Sequence, residues 1–404
     1  MCYGASGITG DKCFLLCAIC STPEFSNGFT TNTYQSVCND IIFDSGRWAD
    51  PQVVGHFVAE AFYNASLLQG NFWLDGPGQP EEYAMKALTH LFAHMSRKDT
   101  MAIFGRPLDG MDFLIEHVRF ALIAFNGILS NQKISWQVFA DNVLPFSVWN
   151  EKRDLGFRWR SRFAQLFGGS WINATNIYAA MEHLVAIIPT AASIGVLSLN
   201  VESNTPDQYN MLVPGSPIAW RSESSPGWIS PEQVQMFGGS CTGTAIVLVA
   251  AARAIGIPAR IAGCSQSVVT NDDHHWIEFY DCASGLGPFG DCWHTKEGVS
   301  KGNEGGPWDS PSAPMLGCLQ GVIPGSRINT IWAQQYSSHV FMPALWTSGG
   351  RNGVMQNAWA FSGGENRCGV YCAAWGCGVN NSDKWNQTQC GPTGDDIPGR
   401  PLSE

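Results

Sequence analysis

Charge is scarce in this chain. Only 14% of its 404 residues are Asp, Glu, Lys or Arg, and the balance is acidic, with a formal net charge of -11. A broad electrostatic grip on nucleic acid or acidic lipid needs a basic surface, so nucleic acid is set aside as a partner. Long apolar runs are missing too. None approaches the roughly 18 residues a membrane helix requires, and Arg253 interrupts the most apolar stretch, so no transmembrane span is expected. No internal repeat occurs in the sequence.

Cysteine, tryptophan and glycine are abundant. Sixteen Trp and 44 Gly point to a loop-rich, aromatic-rich surface of the sort common outside the cytosol. The 14 Cys crowd near both ends (Cys2, Cys13, Cys17, Cys20, Cys38; Cys368, Cys372, Cys377, Cys390) and flank a short loop (Cys282, Cys292). Disulfides persist in oxidising compartments, so the expected location is secreted or extracellular. Sequons at Asn64, Asn173, Asn380 and Asn386 agree with a glycoprotein, and residues 1–22 are a candidate signal peptide. Cys13-x3-Cys17-x2-Cys20 and Cys368-x3-Cys372-x4-Cys377 each lack a second half of a four-ligand zinc pattern, which makes bridges the better reading.

The length suits one large domain or two to three ordinary ones. Residues 40–205 read as a helical region: apolar residues recur at three and four residue spacings over 50–70, 80–97, 111–130 and 176–188. Between them, "DNVLPFSVWNEKRDLGFRWRSRF" mixes positive and aromatic residues. With Glu151 and Asp154 interleaved, it reads as an amphipathic packing helix rather than a nucleic-acid stripe. From 206 to 300 the pattern changes to a core unit. A smooth apolar helix over 241–255 is closed by Gly256 and Pro258, and strand-like "ARIAGCSQSVV" and "HHWIEFYD" flank the turn "TNDD". Residues 301–404 are rich in Gly, Trp and Cys and read as a disulfide-stapled region, with only "INTIWAQQY" and "HVFMPALW" looking regular.

A cysteine becomes a good nucleophile when its thiolate is stabilised by a helix N-terminus or a neighbouring imidazolium. Cys241 stands at a predicted helix start behind the Gly238-Gly239 pair, where orphan N–H groups stabilise a thiolate and bind an oxyanion. "DDHHWIEFYD" supplies two imidazoles. Strand alternation sends His274 and His275 to opposite faces, with Trp276 and Glu278 on the face of His274, so at most one meets Cys241. Asp272, Asp273, His274 and His275 are four adjacent potential metal ligands, but neighbouring strand residues diverge, and no metal is expected.

These residues carry a family resemblance. "GGSCTGTAIVLVAAARAIGIPARIAG" followed by "HHWIEFYD" resembles the transglutaminase-like superfamily in the order and spacing of its Cys, its "RAIGIPAR" segment and its H-x-W-x-E strand. "LPFSVWNEKRDLGFRWR" resembles a stretch preceding this domain in an uncharacterised group of such proteins. The resemblance implies an α+β, papain-like/transglutaminase-like core, with a Cys-bearing helix packed on an antiparallel sheet after a helical region. It also implies Cys241 as nucleophile and His274 as base, with a third, orienting residue. Families of this type usually place an Asp four residues after a Trp, but here that position after Trp293 is Glu297, with Asp291 as the alternative. Trp220 and Trp228 are upstream oxyanion candidates for which core packing is the favoured role. Arg253 is expected either to face solvent or to pair internally.

The expected activity is acyl transfer or hydrolysis on peptide or side-chain amides through a Cys241 thioester, with hydrolysis preferred and a protein or peptide as substrate. The competing reading is an inert peptide- or glycan-binding module. No organic cofactor is implied, and the oligomeric state is left unassigned.

Overall fold

The computed structural model describes residues 50–68, 81–127, 134–149, 155–171, 174–191, 241–264, 274–296, 331–337 and 364–375, with isolated positions at 15, 18, 20, 151, 153, 231, 315 and 318. Most of the candidate signal peptide, Trp220, Trp228, Glu297, "HVFMPALW" and most of the cysteine-rich ends lie outside the described residues.

The helical half contains α1 (Pro51–Leu68), α2 (Glu81–His94), α3 (Arg97–Phe104), α4 (Pro107–Gly127), α5 (Trp136–Asn142), α6 (Trp159–Phe167) and α7 (Ile177–Ala191). Where one helix was expected over 80–97, the chain breaks after His94. Ser96 then caps α3, its Oγ accepting from the Asp99 N–H at 3.2 Å, so a new helix begins with a satisfied donor. α4 starts earlier than expected, at Pro107, whose fixed φ and missing N–H suit the first helical position. Asn64 lies inside α1, and Ser66 of the same sequon is fully buried, its Oγ donating to the Tyr63 carbonyl at 2.6 Å.

The core unit consists of α8 (Cys241–Ala254) and a five-stranded antiparallel sheet of order β3-β2-β1-β4-β5: β1 (Ala259–Cys264), β2 (His274–Tyr280), β3 (Trp293–Lys296), β4 (Ile331–Gln334) and β5 (Gly364–Asn366). A last helix, α9 (Cys368–Trp375), follows β5. Every residue of α8 from Thr242 to Ala254 is buried, which its small and aliphatic side chains allow on all sides. The helix ends as the sequence implied. Gly256, at φ 86°, donates to the Arg253 carbonyl and Ile257 donates to that of Ala252, a Schellman closure that turns the chain into β1.

α8 lies between the sheet and α6, α7 and α4. Ile261, Ile277 and Phe279 from one sheet face share a single core cluster with α8 and the helical half. The other face carries a second cluster of Ala262, Cys264, Trp276, Ile331 and Ala333 with Met315, Cys318 and Tyr371. Covered on both sides, β1 is buried along its whole length. Two disulfides fasten this region: Cys282–Cys292 closes the loop between β2 and β3, as its spacing implied, and Cys264–Cys318 ties β1 to the C-terminal part of the chain.

The stretch expected to form one packing helix after residue 141 does so only from Trp159. Residues 143–149 form an irregular segment because two buried guanidiniums take the carbonyls a helix would use. Arg253 donates to the carbonyls of Asn142 (3.1 Å), Pro145 (3.3 Å), Ser147 (2.8 Å) and Ala259 (2.9 Å), and to Oε1 of Gln334 (3.0 Å). Arg160 donates to the carbonyls of Val143 (2.5 Å) and Arg253 (2.7 Å). Of the two roles open to Arg253, solvent-facing and internally paired, the structure selects the second. Burial pushes its pKa down to about 9, against the attraction of Glu151. No helix among the described residues is long and apolar enough to cross a membrane.

Candidate active site

Cys241 occupies the first position of α8, half-buried, and is the free thiol among the described cysteines. The fold brings the first turn of α8 against the start of β2, which carries His274 and His275 in sequence. Their side chains diverge as the pleat requires.

His275 lies on the face that α8 covers. Its Nδ1 is 2.9 Å from Oγ1 of Thr242, the residue after the candidate nucleophile. The Trp149 ring packs against it edge-on, centroids 4.9 Å apart. Opposite His275 in the ladder stands Gly263, where an added Cβ would lie 2.8 Å from the imidazole Cδ2, so a side chain there would displace the ring. Burial, followed by the neighbouring His274, lowers the pKa of His275 to about 3. It is therefore a neutral imidazole throughout the ordinary pH range.

His274 is the more accessible of the two, at 8% against 1% exposure, and its ring lies 5.8 Å from that of Trp276. Its face continues into a buried polar network. Trp276 donates from Nε1 to the Tyr371 hydroxyl (2.6 Å), which donates to Oε1 of Glu278 (2.9 Å). Arg260 donates to Oε2 of Glu278 at 2.7 Å, and Arg367 to Oε1 at 3.2 Å. Burial opposes ionisation of Glu278, but Arg367, Arg260 and the hydrogen bonds prevail and hold its pKa below the ordinary value. The Arg260 guanidinium also sits over the Trp293 ring, 3.8 Å from its centroid.

Asp291 is engaged in this network. Its Oδ2 accepts from both Arg367 amino groups, at 3.2 and 3.3 Å, and its Oδ1 accepts the Trp293 N–H at 2.9 Å. Glu297 lies one residue past the end of β3, outside the described residues. Among the described residues, no group of three or more His, Cys, Asp or Glu is arranged to hold a metal ion.

Thr242, Trp149, Arg367 and Tyr371 were not singled out from the sequence. Thr242 and Trp149 lie inside stretches already quoted for other reasons. Arg367 and Tyr371 have no local signal, because they reach Glu278 only through the sheet pairing of β4 and β5.

A buried central helix that begins at a free cysteine and lies across an antiparallel sheet defines the papain-like class of thiol folds. Residues 210–293 match the family described as the transglutaminase-like superfamily. Comparison with curated proteins and with solved structures brings no match.

Proposed function

We propose that the protein is a cysteine-dependent amide hydrolase acting on a protein or peptide. The Cys241 sulfur attacks the amide carbonyl, forming the C–S bond, while the N–H groups of the first turn of α8 receive the oxyanion. His274 takes the thiol proton and delivers it to the leaving amine as the C–N bond breaks. Water then resolves the thioester to a carboxylic acid and the free thiol; an amine in its place would make a new amide. The observation that carries this reading is the half-buried free thiol at the head of α8, set against the strand that begins with His274.

Protonation favours His274 over its neighbour, because a ring held at about pH 3 by burial makes a poor base for a thiol. The reading requires the His274 ring, at the start of its strand, to reach the Cys241 sulfur when substrate is bound. Catalytic contacts are commonly loose before substrate binds. Glu297 takes the orienting role, since both oxygens of Asp291 are occupied by Arg367 and the Trp293 N–H. The two disulfides support assembly in an oxidising, extracytoplasmic compartment.

Iodoacetamide labelling at mildly acidic pH, read at the Cys241 peptide by mass spectrometry, tests the reading. Cys241 should react faster than an ordinary thiol, and His274→Ala should abolish the advantage. A primary-amine probe offered with a glutamine peptide separates the outcomes: ammonia or peptide release alone means hydrolysis, and Cys241-dependent incorporation means transfer. The position of the His274 ring beside Trp276 favours one competing reading, an inert peptide- or glycan-binding module. That reading holds if Cys241 labels like a free thiol and His274→Ala changes nothing.

A further inference from the structure

We propose that the hydrogen bond between Thr242 and His275, backed by the Trp149 ring, is a positioning device that fixes the first turn of α8 and so aims the Cys241 sulfur; this rests on Cys241 being the nucleophile. Three observations converge on it. The 2.9 Å contact between Thr242 Oγ1 and His275 Nδ1 joins the residue next to the thiol to the rigid, doubly covered strand β2. Gly263 leaves room for the imidazole where any side chain would collide with it.

Trp149, which closes the remaining side, is itself held from several directions. Its N–H donates to Oε2 of Glu151 (2.6 Å), whose Oε1 accepts the N–H of Val148 (2.8 Å). Arg153 donates to the Trp149 carbonyl (3.1 Å) and to Oδ1 of Asp99 (2.5 Å), and forms an ion pair with Glu151 at 3.0 Å. Arg253 holds the preceding carbonyls of Pro145 and Ser147. These bonds hold the Trp149 backbone on both sides and so fix the point from which its ring projects onto His275.

The two histidines thereby divide the work. His274, at the start of the strand, carries the proton, and the buried His275, neutral over the ordinary pH range, keeps the helix start in register. Thr242, His275 and Trp149 are positioning residues, acting through Cys241 rather than on substrate. The N-terminal helical region, by supplying Trp149, becomes part of the site.

The test is the pH profile of Cys241 alkylation in the full chain, with melting temperature measured alongside. Thr242→Val removes the hydroxyl at constant shape and should slow alkylation by about 3- to 10-fold between about pH 5 and 7, the worth of one hydrogen bond. Its melting temperature should fall by only about 2–4 °C, the stability worth of the same bond, and Thr242→Ser should restore the rate. Trp149→Phe should give a smaller slowing in the same direction, and it decides the matter if Thr242→Val does not fold. A parent that labels like an ordinary thiol removes the proposed function and this inference together. A fast parent whose folded Thr242→Val or Trp149→Phe profile superimposes on its own removes this inference alone.

Discussion

The two faces of the central sheet solve different problems. Toward α8 the sheet presents Ile261, Ile277 and Phe279, a continuation of the main hydrophobic core, with His275 at its end. Away from α8 it presents Arg260 and Glu278, joined by Arg367 and Tyr371 from the far end of the chain. The apolar face seats the body of α8 by packing, which is non-directional and tolerant of shape-conserving change, and leaves the helix start to the Thr242–His275 hydrogen bond. The polar face fixes the order of strands by directional pairing, and each member leaves a buried charge or donor behind when removed.

Removing Glu278 should break the polar face most severely. Glu278→Ala leaves Arg260 and Arg367 buried without their shared carboxylate and should cost about 3–5 kcal/mol in denaturant unfolding, because an uncompensated buried charge remains. A loss under about 1 kcal/mol would mean the network relaxes into water and does not hold the sheet.

Acid should expose the apolar face next. The folded pKa of His275, about 3, lies below its unfolded value of 6.5, so the two states bind protons alike above pH 6.5. As pH falls from 6.5 toward 3 the unfolded chain takes up a proton that the folded one refuses, and stability drops, reaching roughly 3 kcal/mol by about pH 4. His117, also buried and depressed, adds a loss of the same sign, so the diagnostic is the difference between the parent and His275→Phe. Equal slopes for the two proteins would sink the assignment. Glu278 contributes later, since its stabilisation is present above its unfolded value of 4.5 and is lost as pH falls toward its lower folded one.

The smallest effect expected is that of Tyr371→Phe, which deletes the hydroxyl between Trp276 and Glu278 without changing the ring packing. About 1–2 kcal/mol should be lost, with Cys241 labelling unaltered, because the hydroxyl serves the face away from the thiol. A changed labelling rate would show that the two faces are coupled through β2.

What sequence reading reached was local in origin. The run from Cys241 to Pro258 carries its own apolar stretch, glycine stop and proline, and the structure forms the helix there, ending at Ala254, one residue short of the expected end. Alternation put the two histidines on opposite faces, but which face meets α8 depends on sheet packing, and no periodicity records that. Long-range partnerships were equally silent. Arg253 was left with two roles because most of its acceptors are distant in sequence, the carbonyls of Asn142, Pro145 and Ser147 lying more than a hundred residues away. The three residues of β5 are too few to show any pattern, so neither Arg367 nor Tyr371 was placed near Glu278.

The carbonyl-only grip of Arg160 and Arg253 on the segment from Asn142 to Ser147 has an evolutionary corollary. A guanidinium bound to main-chain oxygens is indifferent to which side chains that segment carries, provided its path is kept. The side chains of the segment answer instead to the core in which Val143, Leu144 and Phe146 are buried, so shape-conserving apolar exchanges should be tolerated there while its two anchors are not free to change.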